Sequence, residues 1–164
     1  MQRPRRRTLS VRSSIALALC AAFPAQACWD AAAQRYQVSS ALLYAIARTE
    51  SGLNPLAIGR NGNGTRDIGL MHINSAWLPT LADHGIDERE LFEPCTNIEV
   101  GAWILAGNVA RLGYTWDAVG AYNAANPALR RAYADKVRRH LPTTLPTVAH
   151  PAVRAPGISV GSVR

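Results

Sequence analysis

Apolar residues recur at helical spacing along much of this chain. The longest such stretch places five of them three or four positions apart, namely Ile98, Ala102, Leu105, Val109 and Leu112. Pro94 precedes this stretch, Thr96 is a suitable N-cap, and Gly113 follows at a position where glycine often ends a helix. The pattern predicts a long helix that begins near Thr96 and ends at Gly113.

Shorter periodic stretches predict helices over 41–51, 115–125 and 127–141, with one short helix between 75 and 93. Ser39 and Ser40 are suitable N-caps for the first of these, and Thr115 for the second. Pro127 lies where the first turn of a helix tolerates proline. Most of the chain is therefore expected to be helical.

A turn-rich stretch interrupts the helical pattern between Asn54 and Arg66. It contains Gly59 and two Asn-Gly pairs, at 61–62 and 63–64, which favour tight turns with positive φ. The sequence therefore predicts a short β-hairpin or ordered loop here. No internal repeat is visible, so we expect one α+β, mostly α domain over residues 28–140.

The first 27 residues have the pattern of an export signal. Five arginines and no acid occupy the first twelve positions, and the apolar run at 15–23 is too short to span a bilayer. Ala25 and Ala27 are the small residues that precede a cleavage site, which predicts cleavage after Ala27. A disordered arm, an amphipathic surface helix, and a lipoprotein cut before Cys20 or Cys28 are the alternatives.

Composition and charge limit the classes of protein to which this chain can belong. The chain has 164 residues, 48% of them apolar and 18% charged, which suits a single globular domain. The formal charge is +7, but residues 28–129 carry −4 and residues 130–164 carry +6. A mildly acidic body argues against a nucleic-acid-binding protein. Residues 141–164 contain four prolines and no aromatic residue, which predicts a flexible tail.

Two cysteines, Cys28 and Cys95, remain if the signal is removed. An even pair in an exported chain predicts one disulfide between them. The four histidines are scattered and no paired cysteine lies near them, so we expect no metal site.

Glu50 is the leading candidate for chemistry. It shares one helix face with Leu43, Ile46 and Ala47, so its carboxyl ends an apolar stripe. Apolar surroundings favour the protonated form of a carboxyl, and a protonated carboxyl near neutral pH suits a general acid. The alternative is that Glu50 only frays into solvent beside Gly52.

Three blocks in order, Thr49–Pro55, Gly69–Asn74 and 121–123 (Ala-Tyr-Asn), resemble the lysozyme-like lytic transglycosylase (SLT) domain. The subgroup resembled most is the small exported transglycosylases that accompany secretion and pilus systems. Two further segments, 28–30 (Cys-Trp-Asp) and 94–98 (Pro-Cys-Thr-Asn-Ile), match that subgroup, including its disulfide. The resemblance implies a lysozyme-like fold with the hairpin beside a groove.

The resemblance also implies roles for individual residues. Glu50 matches the catalytic acid and base, which cleaves the bond between N-acetylmuramic acid and N-acetylglucosamine in peptidoglycan and leaves a 1,6-anhydro end. Tyr122 matches the tyrosine whose hydroxyl positions the glutamate. The remaining matches are to substrate-binding or supporting positions and comprise Ser51, Gly69, Leu70, Met71, Asn74 and Asn123. The Met71 side chain is expected to form part of the groove wall, while Ser51 is expected to support its turn.

Two positions depart from the family pattern. His72 stands where the family usually has glutamine, and an imidazole cannot offer the paired donor and acceptor of an amide to a sugar. A pH-sensitive element is the alternative at this position. Asp67 matches the second catalytic carboxyl of animal lysozymes of the chicken type, which the segment Thr65–Trp77 resembles. Retaining hydrolysis needs two carboxyls about 5 Å apart. Asp67 is thus either catalytic, sugar-binding, or a turn residue bonded to the hairpin backbone.

Aromatic side chains suit a sugar groove, and Trp77 and Tyr122 are the candidates for it, whereas Trp103 and Trp116 are expected in the core. The leading interpretation is a monomeric periplasmic or secreted enzyme that needs no cofactor and acts on peptidoglycan strands for a secretion or pilus apparatus. The alternatives are a hydrolytic muramidase, a non-catalytic lysozyme-like binding module, and a small basic protein that acts through its charge.

Overall fold

The computed structural model describes residues 25–142. This part of the chain forms six α-helices: α1 Ala25–Tyr36, α2 Ser40–Glu50, α3 Leu78–Ala82, α4 Pro94–Leu112, α5 Trp116–Gly120 and α6 Pro127–Arg138. It also forms three short strands, β1 Ile58–Arg60, β2 Arg66–Ile68 and β3 Ile73–Asn74, and two 3-10 turns, Ser75–Trp77 and Glu90–Phe92. Most of the predicted signal and most of the predicted tail lie outside the described residues.

Residues next to helix α2 in the sequence determine where it begins and ends. The Ser39 side chain accepts a hydrogen bond from the Leu42 backbone N–H, which satisfies one of the donors left free at a helix start. Gly52, at φ +63, follows its end. The predicted helix over 41–51 is confirmed within one residue at each end.

The turn-rich stretch forms the predicted hairpin. β1 and β2 pair antiparallel, with Gly59 opposite Asp67, and the Gly64 N–H bonds to the Asn61 carbonyl in the turn between them. β2 also pairs with β3, a strand that was not predicted. In this pairing Asp67 lies opposite Asn74. The result is a small three-stranded sheet that presents Asp67 from its central strand.

Three helix boundaries differ from the prediction, and one of them is the end of α6, which lies at Arg138 and not at residue 141. Helix α4 begins at Pro94, with Glu93 as an N-cap that makes no side-chain bond, so the expectation that Thr96 caps this helix was wrong. Proline at the first helical position needs no N–H partner, and this lets the helix start two residues earlier. Helix α5 is capped by Thr115 as predicted but ends at Gly120, well before residue 125.

Helix α1 was not predicted, and it contains both the expected cleavage point after Ala27 and Cys28. Cys28 forms a disulfide with Cys95, 67 residues further along the chain, and the bond joins α1 to the first turn of α4. The predicted pairing is therefore present in the structure. It closes a long loop and holds the start of the domain against its central helix.

The hydrophobic core lies between α1, α2, α4 and α6. Its largest fully buried side chains include Tyr36, Leu43, Ile46, Ile98 and Leu105. The fold is thus mostly helical with a small antiparallel sheet on one side, as the sequence predicts. Within residues 25–142, every helix is too short or too polar to cross a bilayer.

Candidate active site

Glu50 is the last residue of α2 and lies beside a cavity of about 450 Å³. Its side chain is 10% exposed. The buried face of α2, which includes Leu43, Ile46 and Ala47, leads directly to it. Glu50 therefore does not fray into solvent, and its carboxyl is enclosed where a bound molecule would meet it.

The carboxyl of Glu50 is held from behind by a residue that sequence reasoning missed. The Tyr133 hydroxyl, on α6, donates a 2.5 Å hydrogen bond to Glu50 Oε1. Burial and the negative charge of Glu50 raise the pKa of Tyr133 far above its usual value of 10. Both effects favour the neutral phenol, which is the form that donates to the carboxyl.

The contact expected of Tyr122 is made by Tyr133 instead. Tyr122 donates its hydrogen bond to the Met71 carbonyl, at 3.1 Å, and its ring lines the cavity. Burial raises the pKa of Tyr122, and the charges of Glu50 and Asp67 raise it further. Tyr122 thus supports the loop that faces Glu50 and does not bond to Glu50 itself.

Three hydrogen bonds fix the loop Gly69–Met71 between β2 and β3. Ser51 Oγ donates to the Leu70 carbonyl at 2.6 Å, the Met71 N–H donates to Asn97 Oδ1 at 2.7 Å, and Tyr122 holds the Met71 carbonyl. Asn97 is buried and also donates to two backbone carbonyls, those of Ile68 and Leu91. The loop is therefore a rigid support for the residues that follow it.

Two glycines allow this loop to pack closely. Gly69 has φ +73, and a Cβ there would lie 2.4 Å from Asn97 Nδ2. Gly101, on α4, lies against the Met71 sulfur, which a Cβ would approach to 2.4 Å. The Met71 side chain is fully buried, so the expectation that it forms part of the groove wall was wrong. It packs beneath the cavity because α4 leaves room for it there.

Asp67 is presented from β2 into the same cavity as Glu50. Asn61 Nδ2 donates to its Oδ2 at 3.0 Å, and Asn74 Nδ2 donates to its Oδ1 at 2.7 Å. Side-chain amides, and not the hairpin backbone, donate these two bonds to its carboxylate. The arrangement holds Asp67 as an oriented carboxylate.

The cavity is lined by residues from the hairpin, the helices and the loops between them: Glu50, Asn61, Asn63, Thr65, Asp67, His72, Ile73, Asn74, Trp77, Ile104, Tyr122 and Asn123. Of the predicted substrate-binding residues, His72, Asn74, Trp77 and Asn123 belong to this lining. Ser51, Gly69, Leu70 and Met71 do not, and they build the support behind it.

An aromatic pair forms one side of the cavity. Trp77 is 36% exposed, and its ring meets that of Trp103 edge to face at 5.1 Å. Trp103 was expected in the core, but it is only partly buried because it supports Trp77 from α4. The pair offers an apolar ring face next to a polar cavity, which suits the C–H faces of a sugar.

Among the residues that the structure describes, those lining the cavity supply two carboxyls, one histidine and several amides, and no lysine or arginine. Among residues 25–142, no three His, Cys, Asp or Glu side chains are grouped closely enough to bind a metal ion. The described residues thus offer acid–base groups and hydrogen-bonding groups for a neutral, hydroxyl-rich ligand.

Several known proteins are similar to this chain in sequence. Invasion protein IagB of Salmonella typhimurium (strain SL1344) is 44% identical over 115 residues, which cover 67% of this chain and 72% of IagB. Protein IpgF of Shigella sonnei is 39% identical over 120 residues, covering 70% of this chain and 79% of IpgF. A putative peptidoglycan-binding-like protein of Escherichia coli (strain K12) is 36% identical over 132 residues, covering 73% of this chain and 84% of that protein.

The fold is also that of a solved structure, an inactive mutant of the lytic transglycosylase Slt from Pseudomonas aeruginosa. The TM-score is 0.57 at 22% identity, and the match covers 70% of this chain and 23% of the much longer Slt chain. The family model described as the transglycosylase SLT domain matches residues 27–140. The chain therefore belongs to the transglycosylase SLT domain family.

Proposed function

We propose that residues 28–140 form a peptidoglycan lytic transglycosylase that cleaves the bond between N-acetylmuramic acid and N-acetylglucosamine. The observation that carries the proposal is the enclosed carboxyl of Glu50, oriented by Tyr133 at the side of a polar cavity. An enclosed, oriented carboxyl beside a cavity of this size suits general acid–base catalysis on a bound sugar.

The reaction uses Glu50 twice. Its carboxyl gives a proton to the oxygen that links the two sugars, and the bond from that oxygen to muramyl C1 breaks. The carboxylate then takes the proton from the muramyl C6 hydroxyl, and that oxygen forms a new bond to C1. Glu50 regains its proton, no water is consumed, and one product carries a 1,6-anhydro end.

The lining residues supply the sugar contacts in this proposal. Trp77 stacks on the C–H face of a pyranose ring, and the amides of Asn74 and Asn123 bond to hydroxyl or N-acetyl groups. Asp67, fixed by two amides, places negative charge where positive charge develops at C1 in the transition state.

The place of action follows from the substrate. Peptidoglycan lies outside the cytoplasmic membrane, so the predicted signal over residues 1–27 is consistent with a periplasmic or secreted enzyme. The resemblance to the small transglycosylases of secretion and pilus systems supports local opening of the cell wall for such an apparatus. Similarity to a protein named for invasion supports the same role.

Peptidoglycan solubilisation by the purified chain tests the proposal. The wild-type protein should release soluble fragments from isolated sacculi, and Glu50→Gln should release almost none, because glutamine keeps the shape but lacks the acid proton. The free energy of unfolding, measured by urea denaturation, should change little. Equal release by wild type and Glu50→Gln would remove Glu50 from the mechanism.

A second candidate function, hydrolysis by a muramidase, is favoured by the position of Asp67. Glu50 and Asp67 line one cavity, and hydrolytic cleavage of a glycosidic bond uses two carboxyls. In that reaction a water molecule takes the place of the C6 hydroxyl. Under this alternative Asp67→Asn should abolish turnover. Under transglycosylation the same substitution should slow the reaction without changing its products.

A further inference from the structure

Asn97 binds both ends of the loop Gly69–Met71 from the first turn of α4, and it is only 1% exposed. Its Oδ1 accepts from the Met71 N–H, and its Nδ2 donates to the carbonyl of Ile68, just before the loop. A second bond from Nδ2 goes to the Leu91 carbonyl. A side-chain amide is both acceptor and donor, so this one residue can bind an N–H and a carbonyl of the same segment.

The backbone around this loop has an uncommon conformation. Gly69 has φ +73, and His72, directly after the loop, has φ +51, which few non-glycine residues adopt. Conformations of this kind persist only where the surrounding contacts fix them. The bonds that hold the loop therefore determine whether the residues after it keep their positions.

Asn97 differs from the other two side chains that hold the loop. Ser51 and Tyr122 each donate to a loop carbonyl, whereas Asn97 accepts from a loop N–H. It is also packed so closely that a Cβ at Gly69 would clash with its amide. Ser51 and Tyr122 cannot replace the bond that Asn97 makes, because their hydroxyls are already used on the carbonyls.

The residues that this loop places belong to the cavity lining. His72 follows the loop, and its Nδ1 lies 3.5 Å from Glu50 Oε2. Asn74, two positions later, donates to Asp67 Oδ1 at 2.7 Å. Asn97 is not part of the lining, yet it holds the backbone that carries these two residues to the two carboxyls.

We propose that Asn97 is a positioning residue for the reaction, and the inference rests on the proposed function of Glu50. Its side chain touches no substrate. It holds the loop so that His72 and Asn74 keep their places beside Glu50 and Asp67. A displacement of about 1 Å at the reacting groups costs about 100-fold in rate. Loss of the Asn97 bonds should therefore slow a chain that is still folded.

Asn97→Ala tests this role in the full chain, with soluble glycan strands as the substrate. The kcat per folded molecule should fall about 10- to 100-fold. KM should change much less, because Trp77 and Asn123 are not bonded to Asn97 and remain in the lining. A lowered midpoint of urea denaturation with unchanged kcat and KM is what a purely structural role gives, and it overturns the proposal.

Asn108→Ala is the matched control. It removes the same atoms from a second buried asparagine of α4, about 16 Å further along the helix. The Asn108 side chain accepts from Arg111 and has no recorded bond to the loop. The variant should keep the kcat of wild type whatever its urea midpoint. An equal fall of kcat in both variants also overturns the proposal.

Amide hydrogen exchange tests the proposal without activity. In wild type the Met71 amide should exchange as slowly as the amides in the middle of α4, because its acceptor is buried. In Asn97→Ala it should exchange about tenfold faster, the effect of one lost hydrogen bond. The Asn61 amide, bonded within the hairpin, should keep its rate.

Rapid exchange of the Met71 amide in wild type overturns the proposal, whether or not Asn97→Ala folds. Faster exchange confined to the loop of Asn97→Ala, in a chain whose wild type cleaves no peptidoglycan, has a different meaning. It supports the hold of Asn97 on the loop and refutes only the proposed function.

Discussion

At the scale of single residues, two tyrosines are involved where the sequence resemblance indicated only one. The resemblance gave the positioning of Glu50 to Tyr122. Tyr133 donates to Glu50, while Tyr122 donates to the Met71 carbonyl. Burial and nearby negative charge raise the pKa of both phenols, which favours their neutral, hydrogen-bond-donating form. Glu50 is therefore oriented from α6, and the loop in front of it is oriented separately.

Tyr133→Phe should lower kcat while leaving the fold intact. The substitution keeps the buried ring but removes a hydrogen bond to a carboxylate, worth about 1.5–3 kcal/mol. If this bond orients the acid in the transition state, kcat falls about 10- to 100-fold, measured by release of fragments from sacculi.

Tyr114→Phe is the matched control for that experiment. It also removes a phenol that bonds within the protein, to the Ser39 N–H at 3.0 Å, but far from the cavity. Both variants lose a hydrogen bond of a phenol, but only Tyr133→Phe should lose turnover. Equal kcat in the two variants would show that Tyr133 has no part in orienting Glu50.

The sequence identified Glu50 because its position on an apolar helix face is a local property. It missed Tyr133 because the contact joins residues 83 positions apart, and only the packing of α6 on α2 brings them together. The sequence of α6 did, however, contain a pattern that could have indicated Tyr133. Tyr133, Ala134 and Val137 form the buried stripe of α6, and a buried phenol in such a stripe needs a polar partner.

At the scale of elements, α4 decides how closely the loop Gly69–Met71 approaches the core. Gly101 faces the Met71 side chain and the Tyr122 hydroxyl, whereas Gly107, on the same helix, has nothing within 4 Å of where its Cβ would be. One glycine therefore provides space for the site, and the other only weakens the helix.

Gly101→Ala and Gly107→Ala should have opposite effects on stability. An added methyl at 101 overpacks the site and should cost about 1–3 kcal/mol. At 107 it should stabilise the helix by about 0.5–1 kcal/mol. Urea denaturation measures both, and Gly101→Ala should also lower turnover by displacing Tyr122. A stable, fully active Gly101→Ala variant would contradict this account of the loop.

Capping explains which element boundaries the sequence predicted well. Ser39 and Thr115 cap α2 and α5 as expected, because a side-chain bond two or three residues away is local information. Thr96 failed as a cap because Pro94 already begins α4 without one. Strand β3 escaped prediction because its two residues pair only once the hairpin exists.

At the scale of the whole molecule, burial of phenols links the stability of the domain to alkaline pH. Burial raises the pKa of Tyr36, and the charge of Glu99 raises it further; Tyr122 and Tyr133 are raised as well. An unfolded phenol ionises near pH 10, whereas the folded ones stay neutral to higher pH. Their contribution to stability is therefore complete below about pH 10 and is lost above it.

Tyr36→Phe should flatten this alkaline loss. Each buried phenol makes the free energy of unfolding fall by about 1.4 kcal/mol per pH unit above pH 10, until the folded group also ionises. Removing the Tyr36 hydroxyl, far from the cavity, should reduce the slope by that amount in urea denaturation. Tyr44→Phe, at a ring that is 40% exposed, is the control. An unchanged slope in Tyr36→Phe would contradict the stated cause.

In the proposed reaction, Glu50 regains its proton by taking one from the substrate's own C6 hydroxyl. Mass spectrometry of the muropeptides released from sacculi by the wild-type chain tests it most directly. We predict products lighter by one water per cut, with 1,6-anhydro ends, and the same products in smaller amount from Asp67→Asn. Reducing ends in the wild-type digest would contradict transglycosylation and make the chain a hydrolase.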